Sequence, residues 1–168
     1  MSKVVAVMGR EVRFYLNTFA FYFVLALFAA IAGYFFWSSL SYFSLVSFQV
    51  ATNPSTQVKG LNLVEGVASP FLLNVSALML LVIPILAMRS FAEERQSGTL
   101  ELLVTYPISD IEIVMGKFLA LAALLFLLVS PTVSFFFLAQ AVAPHFEAVS
   151  LAMGYLGLFL VGASFVSL

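Results

Sequence analysis

Eight of the fifteen Asp, Glu, Lys and Arg residues of this chain lie between Arg89 and Lys117, in the string RSFAEERQSGTLELLVTYPISDIEIVMGK. They are Arg89, Glu93, Glu94, Arg95, Glu101, Asp110, Glu112 and Lys117, and charges-free stretches flank them on both sides. Several chemistries could use such a cluster, and most fail on what the chain lacks. An intramembrane protease or a metal site needs acidic or histidine groups at membrane depth, and the long apolar runs contain none. The single His145 stands beside Glu147 in a short polar stretch and reads as a solvated surface group. With no cysteine, no thiolate or Cys-based metal site exists and no disulfide framework points to an oxidised compartment. Gly116-Lys117 has the look of a phosphate-loop ending, but Phe118 stands where Ser or Thr is required and the earlier glycine is missing. Ion-coupled transport usually places carboxylates near the midplane, whereas the clearly amide-bearing position well inside an apolar run is Asn74. What remains for the charged cluster is docking to another protein.

The elements that must position this cluster are membrane helices. Apolar residues make up 63% of the chain and charged residues 9%, against roughly 25% charged in a soluble domain. Runs without Asp, Glu, Lys or Arg cover residues 14–58, 66–88, 118–146 and 148–168, each at least as long as the roughly 20 residues a helix needs to cross hydrocarbon. Their continuous apolarity lacks the alternation of a barrel strand, so the expected fold is all-α, a polytopic membrane helix bundle with four spanning helices. The expected spans run from about Phe19 to Ser41, Pro70 to Met88, Ile113 to Gln140, and onward from Val149.

Basic residues orient the bundle. If the first helix runs outward, Lys3, Arg10, Arg13, Arg89, Arg95 and Lys117 are cytoplasmic and only Lys59 is external, the asymmetry that the positive-inside rule favours. The N-terminus and the 89–117 segment are then cytoplasmic, in a multi-pass protein of the inner (plasma) membrane. The net charge of −1 gives no reason to expect a nucleic-acid partner. The apolar stretch after Arg13 is far longer than a signal h-region, which argues against a cleaved leader.

Residues 1–17 read as an interfacial helix or as a basic flank that sets orientation. At 100° per residue, Val4, Val5, Met8, Val12, Tyr15 and Leu16 share one side and Lys3, Arg10, Arg13 and Asn17 the other, with Val7 and Phe14 on the polar side. Ser38, Ser41, Ser44 and Ser47 recur every third residue beyond the first span, a serine edge for helix packing or for a polar path. Residues 51–69, with Asn53-Pro54 and two glycines, read as an external loop. Pro84 and Pro131 fall inside spans and mark two sites of kinking.

Within the cytoplasmic segment, Phe91 to Gln96 continues the second span, Ser97-Gly98 breaks it, and Thr99 can cap a short helix that carries Leu100, Leu103 and Val104 on one side and Glu101 on the other. Pro107 ends that helix. Ser109-Asp110-Ile111-Glu112 fits a capping box and Ile108 with Ile113 a hydrophobic staple, so the third span starts from a fixed point.

The string EERQSGTLELLVTYPISDIEIVMGK resembles the signature of type-2 ABC transporter permeases: an acidic pair, Gly-Thr, a Leu-rich turn, a proline, and Glu-Ile-Val-x-Gly-Lys leading into the next helix. The N-terminal REVRFYLNT with the aromatic-rich span after it is similar to the gliding-motility branch of these permeases. The resemblance extends over essentially the whole chain, 1–168, as a single transmembrane permease domain. It implies a membrane subunit that carries no ATPase site and no cofactor of its own, ATP being bound by a separate ABC ATPase subunit. It also implies a second permease subunit and a coupling helix within 89–117. Carried over residue by residue, Glu93, Glu94 and Arg95 fall at the base of the second helix and Gly98 and Thr99 at the turn. Glu101, Leu102 and Leu103 fall on the coupling element, and Pro107 and Lys117 match the later part of the pattern. Such subunits usually have six spans, so four here, ending at Leu168 without a basic flank, lead to the expectation of a C-terminally truncated chain. The function expected is permease subunit of an ATP-driven exporter, the alternative a non-transporting scaffold or remnant that anchors a cytoplasmic partner. The lipid bilayer is a partner in either case.

Overall fold

The computed structural model describes residues 3–52, 63–96, 110–142 and 148–167. Among them there is no strand. The helices are α1 (Lys3–Leu16), α2 (Phe19–Thr52), a π-helical turn (Val64–Ala68), α3 (Ser69–Gln96), α4 (Asp110–Val142) and α5 (Ala148–Val166). Four stretches are long and apolar enough to cross a bilayer: Phe19–Thr52, Val64–Met88, Ile111–Phe137 and Val149–Val166. The all-α membrane bundle with four spanning helices is therefore the fold.

The four spanning helices form a ring in which α2 packs beside α3 and α4, and α5 beside α3 and α4. Hence α3 and α4, the two helices that flank the charged segment, face each other across the diagonal. Their backbones do not run side by side among the described residues. At one end of the ring an aromatic cluster joins all four helices. Phe36 of α2 stacks on Phe135 at 5.6 Å between centroids and meets Phe71 and Phe136 edge-on at 5.7 and 5.4 Å. Phe136 in turn meets Phe71 at 5.4 Å and Tyr155 of α5 at 5.9 Å, both edge-on. These are the edge-to-face and offset geometries that the ring quadrupole favours. Along α5, small residues admit its neighbours: Leu72 of α3 lies over Gly154 and Leu125 of α4 over Gly162, so close that a Cβ would stand 2.5 Å from a methyl in each case.

Helix α2 has 34 residues, about 51 Å at 1.5 Å per residue, well beyond the roughly 30 Å of a hydrocarbon core. Its last turns carry the serine edge, on which Ser41 and Ser47 are half-buried. The Ser44 hydroxyl donates to the Ser41 carbonyl at 2.8 Å and the Ser47 hydroxyl to the Phe43 carbonyl at 2.8 Å, so both are satisfied by their own helix. The serine buried in α2 is Ser39, off that edge.

The reading of 51–69 as one external loop needs correction at both ends. α2 continues through Thr52, and from residue 63 the chain is helical again, entering α3 through the π-helical turn. Turn-forming residues dominated the local pattern, but tertiary packing decides here: Val67 and Ala68 are buried, and the ring of Phe43 lies against Gly66, where a Cβ would stand 2.5 Å from it. The second span accordingly begins at Val64 rather than Pro70.

Pro131 costs α4 the hydrogen bond that residue 131 would give to the Leu127 carbonyl. The adjacent Ser130 hydroxyl donates to that same carbonyl at 2.8 Å and replaces it. One residue further, the fully buried Thr132 donates to the Val129 carbonyl at 2.7 Å and accepts from the Tyr155 hydroxyl of α5 at 3.1 Å. Around Pro84 in α3 the neighbours are Ile83 and Ile85, which have no hydroxyl to offer the Leu80 carbonyl.

Candidate functional site

The charged segment is held at the end of the ring opposite the aromatic cluster, and its two ends are set by packing. On the incoming side, α3 runs down the core with Met79, Val82, Ile83 and Leu86 buried and then continues past the apolar span to Gln96. Glu93, Glu94 and Arg95 thus lie in the last described turns of α3, one helix as far as Gln96, as the sequence pattern predicts, and the break expected at Ser97-Gly98 lies outside the described residues. Gly98, Thr99, Glu101, Leu102, Leu103 and Pro107 lie outside the described residues, as do the short helix expected from Thr99 and the capping serine, Ser109. On the outgoing side, α4 begins at Asp110, the residue after that serine. Lys117 is half-buried, two turns into α4.

What the sequence pattern did not reveal is how α1 relates to these two ends. The buried residues of α1 are Val7, Glu11 and Tyr15, a stripe at four-residue spacing. This stripe is rotated from the apolar side predicted by helical projection but overlaps it: Tyr15 of that side is buried, Val7, placed on the polar side, is buried as well, and Val5 is 48% exposed. The projection treated α1 as having one apolar face for one medium. Instead α1 lies along the first turns of α4, and its apolar residues are divided between that contact and the outside.

Two contacts fix α1. Val7 sits on Gly116 of α4, where an added Cβ would lie 2.7 Å from Val7 Cγ1, 2.8 Å from Val7 Cβ and 3.3 Å from the Val4 carbonyl oxygen. No side chain larger than hydrogen fits without moving α1. Eight residues on, the Tyr15 ring is 1% exposed, packed edge-on against Phe21 at 6.3 Å, and its hydroxyl donates to the Leu86 carbonyl of α3 at 2.8 Å. Between the two contacts the buried Glu11 carboxylate accepts from Arg10 at 3.4 Å. The chain then turns out of α1 through Asn17 and Thr18. The Asn17 N–H donates to the Arg13 carbonyl, the Thr18 N–H to that of Tyr15, and the Thr18 hydroxyl to that of Phe14 at 2.9 Å, before Phe21 opens the hydrogen-bonding of α2.

A signal for these contacts was present but ambiguous. A lone carboxylate, Glu11, among Val7, Met8, Val12 and Tyr15 marks a face that meets protein rather than lipid, and Gly116 belongs to the Glu-Ile-Val-x-Gly-Lys pattern without a contact that the pattern itself specifies. Asn74, the amide inside the second span, is exposed on α3.

The described part of the arrangement is a pair of helices, α3 ending at Gln96 and α4 beginning at Asp110, that both meet α1. A family model described as "ABC-2 family transporter protein" matches residues 6–168. No curated protein and no solved structure matches the chain.

Proposed function

The chain belongs to the ABC-2 family of transporter proteins, and from that membership we propose that it is the permease subunit of an ATP-driven exporter, moved by a separate ATPase subunit that docks on the 89–117 segment. The match over residues 6–168, nearly the whole chain, carries this reading. It is a membrane domain of an ABC-type transporter, multi-pass, with four helices able to span. ATP is bound and hydrolysed by the partner, and a second permease subunit completes the membrane part. The N-terminus and the charged segment face the cytoplasm of the inner membrane, where such an ATPase is found.

The segment suits docking because it combines a rigid lead-in with a rigid lead-out. Glu93, Glu94 and Arg95 at the foot of α3 offer charges to a partner surface, and Leu102 and Leu103 offer apolar contact beyond the turn. Closure of the ATPase on ATP moves this segment and tilts the spans between inward- and outward-facing states, a shift that requires the partner to bind the two states with different affinity.

The test uses the permease purified from membranes together with the ATPase encoded beside it. Glu94→Lys and Gly98→Pro are expected to abolish co-purification, or to leave the ATPase bound while hydrolysis no longer responds to the permease. Wild-type association and wild-type hydrolysis in both variants would overturn the assignment of the segment as the docking element.

A further inference from the structure

We propose that α1 is a strap across the two roots of the 89–117 segment, and that Tyr15 and the Val7–Gly116 seat are its positioning contacts: they hold the foot of α3 and the start of α4 at a fixed separation. The proposal rests on reading that segment as the ATPase-coupling element, but the strap itself can be tested without the ATPase.

Three independent observations carry it. First, α3 and α4 stand on the diagonal of the ring and do not support each other along their backbones. Unless something else joins them at this end, a push on the segment between them can be absorbed by spreading or closing their ends. Second, one helix reaches both. The Tyr15 hydroxyl donates to the Leu86 carbonyl of α3, three residues before Arg89. Val7 occupies the space over Gly116, one residue before Lys117, near the start of α4. The two contacts are eight residues apart on α1, roughly 12 Å of helix, and they lie on the same buried stripe with Glu11 between them. Third, each contact depends on an atom-level feature that packing alone does not require. A phenol in place of a phenyl ring supplies a donor that reaches a main-chain oxygen already 71 residues distant in sequence. Glycine within a helix weakens it through backbone entropy, and here it makes the close approach of α1 possible.

With one helix in contact with both roots, movement of one root is passed to the other. A displacement delivered to it passes into α3 and α4 together, and through the Asn17–Thr18 corner into α2. Gly116, part of no phosphate loop, thereby gains a defined mechanical role.

The chain has no cysteine, so spin labels can be placed without background. Labels at Met88→Cys and Met115→Cys, both on exposed positions beside the strapped ends, report their separation by pulsed electron resonance in lipid nanodiscs. Expected for the otherwise wild-type chain is one narrow distance distribution, unchanged when the ATPase subunit is bound and when ATP is added. Tyr15→Phe, which removes one oxygen atom, is expected to lose that single narrow peak while the ATPase still co-purifies and hydrolyses ATP. Gly116→Ala is expected to do the same, and Val7→Gly combined with it, which removes both side-chain atoms that the new methyl would meet, is expected to restore the peak. The strap is overturned if the wild-type distribution already shifts with ATP as far as those of the variants, or if Tyr15→Phe and Gly116→Ala both keep the wild-type distribution in every state. Failure of the ATPase to associate with the wild-type chain would instead overturn the coupling reading, and the ATPase-free distributions would still decide the strap.

Discussion

Single polar atoms decide the shape of α4 at Pro131. The proline leaves the Leu127 carbonyl without its helical donor, and inside hydrocarbon an unpaired carbonyl has no water to turn to. Ser130 supplies the missing donor at 2.8 Å, so that carbonyl keeps a partner despite the proline. Ser130→Ala is therefore expected to lower stability by about 0.6–2 kcal/mol, read as a shift of the thermal unfolding midpoint in detergent. In a Pro131→Ala background the restored N–H can serve the Leu127 carbonyl, and the same Ser130→Ala change is expected to cost close to nothing. Equal losses in the two backgrounds would show that Ser130 acts by some route other than this carbonyl. At this scale the sequence was only partly informative. Pro131 beside Ser130 could be read as a kink with a nearby hydroxyl, but the Tyr155–Thr132 bond depends on the rotational setting of α5 against α4, which no local pattern encodes.

Helices as units were more legible, because a bilayer imposes a simple rule on backbone polar groups and on length. Four charge-free runs became four spanning helices, and α3 continues past its apolar span to Gln96 as the pattern of residues 91–96 predicts. Two element-scale readings failed for the same physical reason, that a neighbour overrode the local pattern. Residues 63–69 carry loop-like residues but are drawn into helix by Phe43 over Gly66, and the buried stripe of α1 is set by Gly116 and Leu86 rather than by its own apolar side. The glycines of α5 turn this into a prediction. Gly157 has nothing within 4 Å of a built Cβ, whereas Gly162 would meet both methyls and Cγ of the buried Leu125. Gly157→Ala is expected to raise stability by about 0.5–1 kcal/mol through helix propensity alone. Gly162→Val is expected to lower it by about 1–3 kcal/mol through overpacking. Both are measurable by thermal unfolding of the detergent-solubilised chain, and a stabilising Gly162→Val would contradict the packing of α5 on α4.

Across the whole molecule the two ends of the bundle are built differently, and the difference bears on orientation. One end is locked by Phe36, Phe71, Phe135, Phe136 and Tyr155, all side-chain packing between spans. The other carries α1, the roots of the charged segment, and the contacts Tyr15–Leu86 and Val7–Gly116 that bring them to the same side. Six of the seven Lys and Arg residues, Lys3, Arg10, Arg13, Arg89, Arg95 and Lys117, lie on elements that begin or end there, while Lys59 belongs to the connection between α2 and α3 at the far end. Such a distribution is the one the positive-inside rule associates with an inward α1 end, the orientation that the proposed docking of an ATPase on the charged segment requires. Orientation and coupling therefore stand or fall on one measurement that the cysteine-free sequence makes clean. Asn17→Cys, at the exposed corner after α1, and Thr56→Cys, between α2 and α3, each leave every charge in place. In intact cells a membrane-impermeant maleimide is expected to label the Thr56 variant and to reach the Asn17 variant only after the membrane is permeabilised. The reverse pattern would put the 89–117 segment outside, beyond reach of any cytoplasmic ATPase, and would leave the strap as a purely structural element.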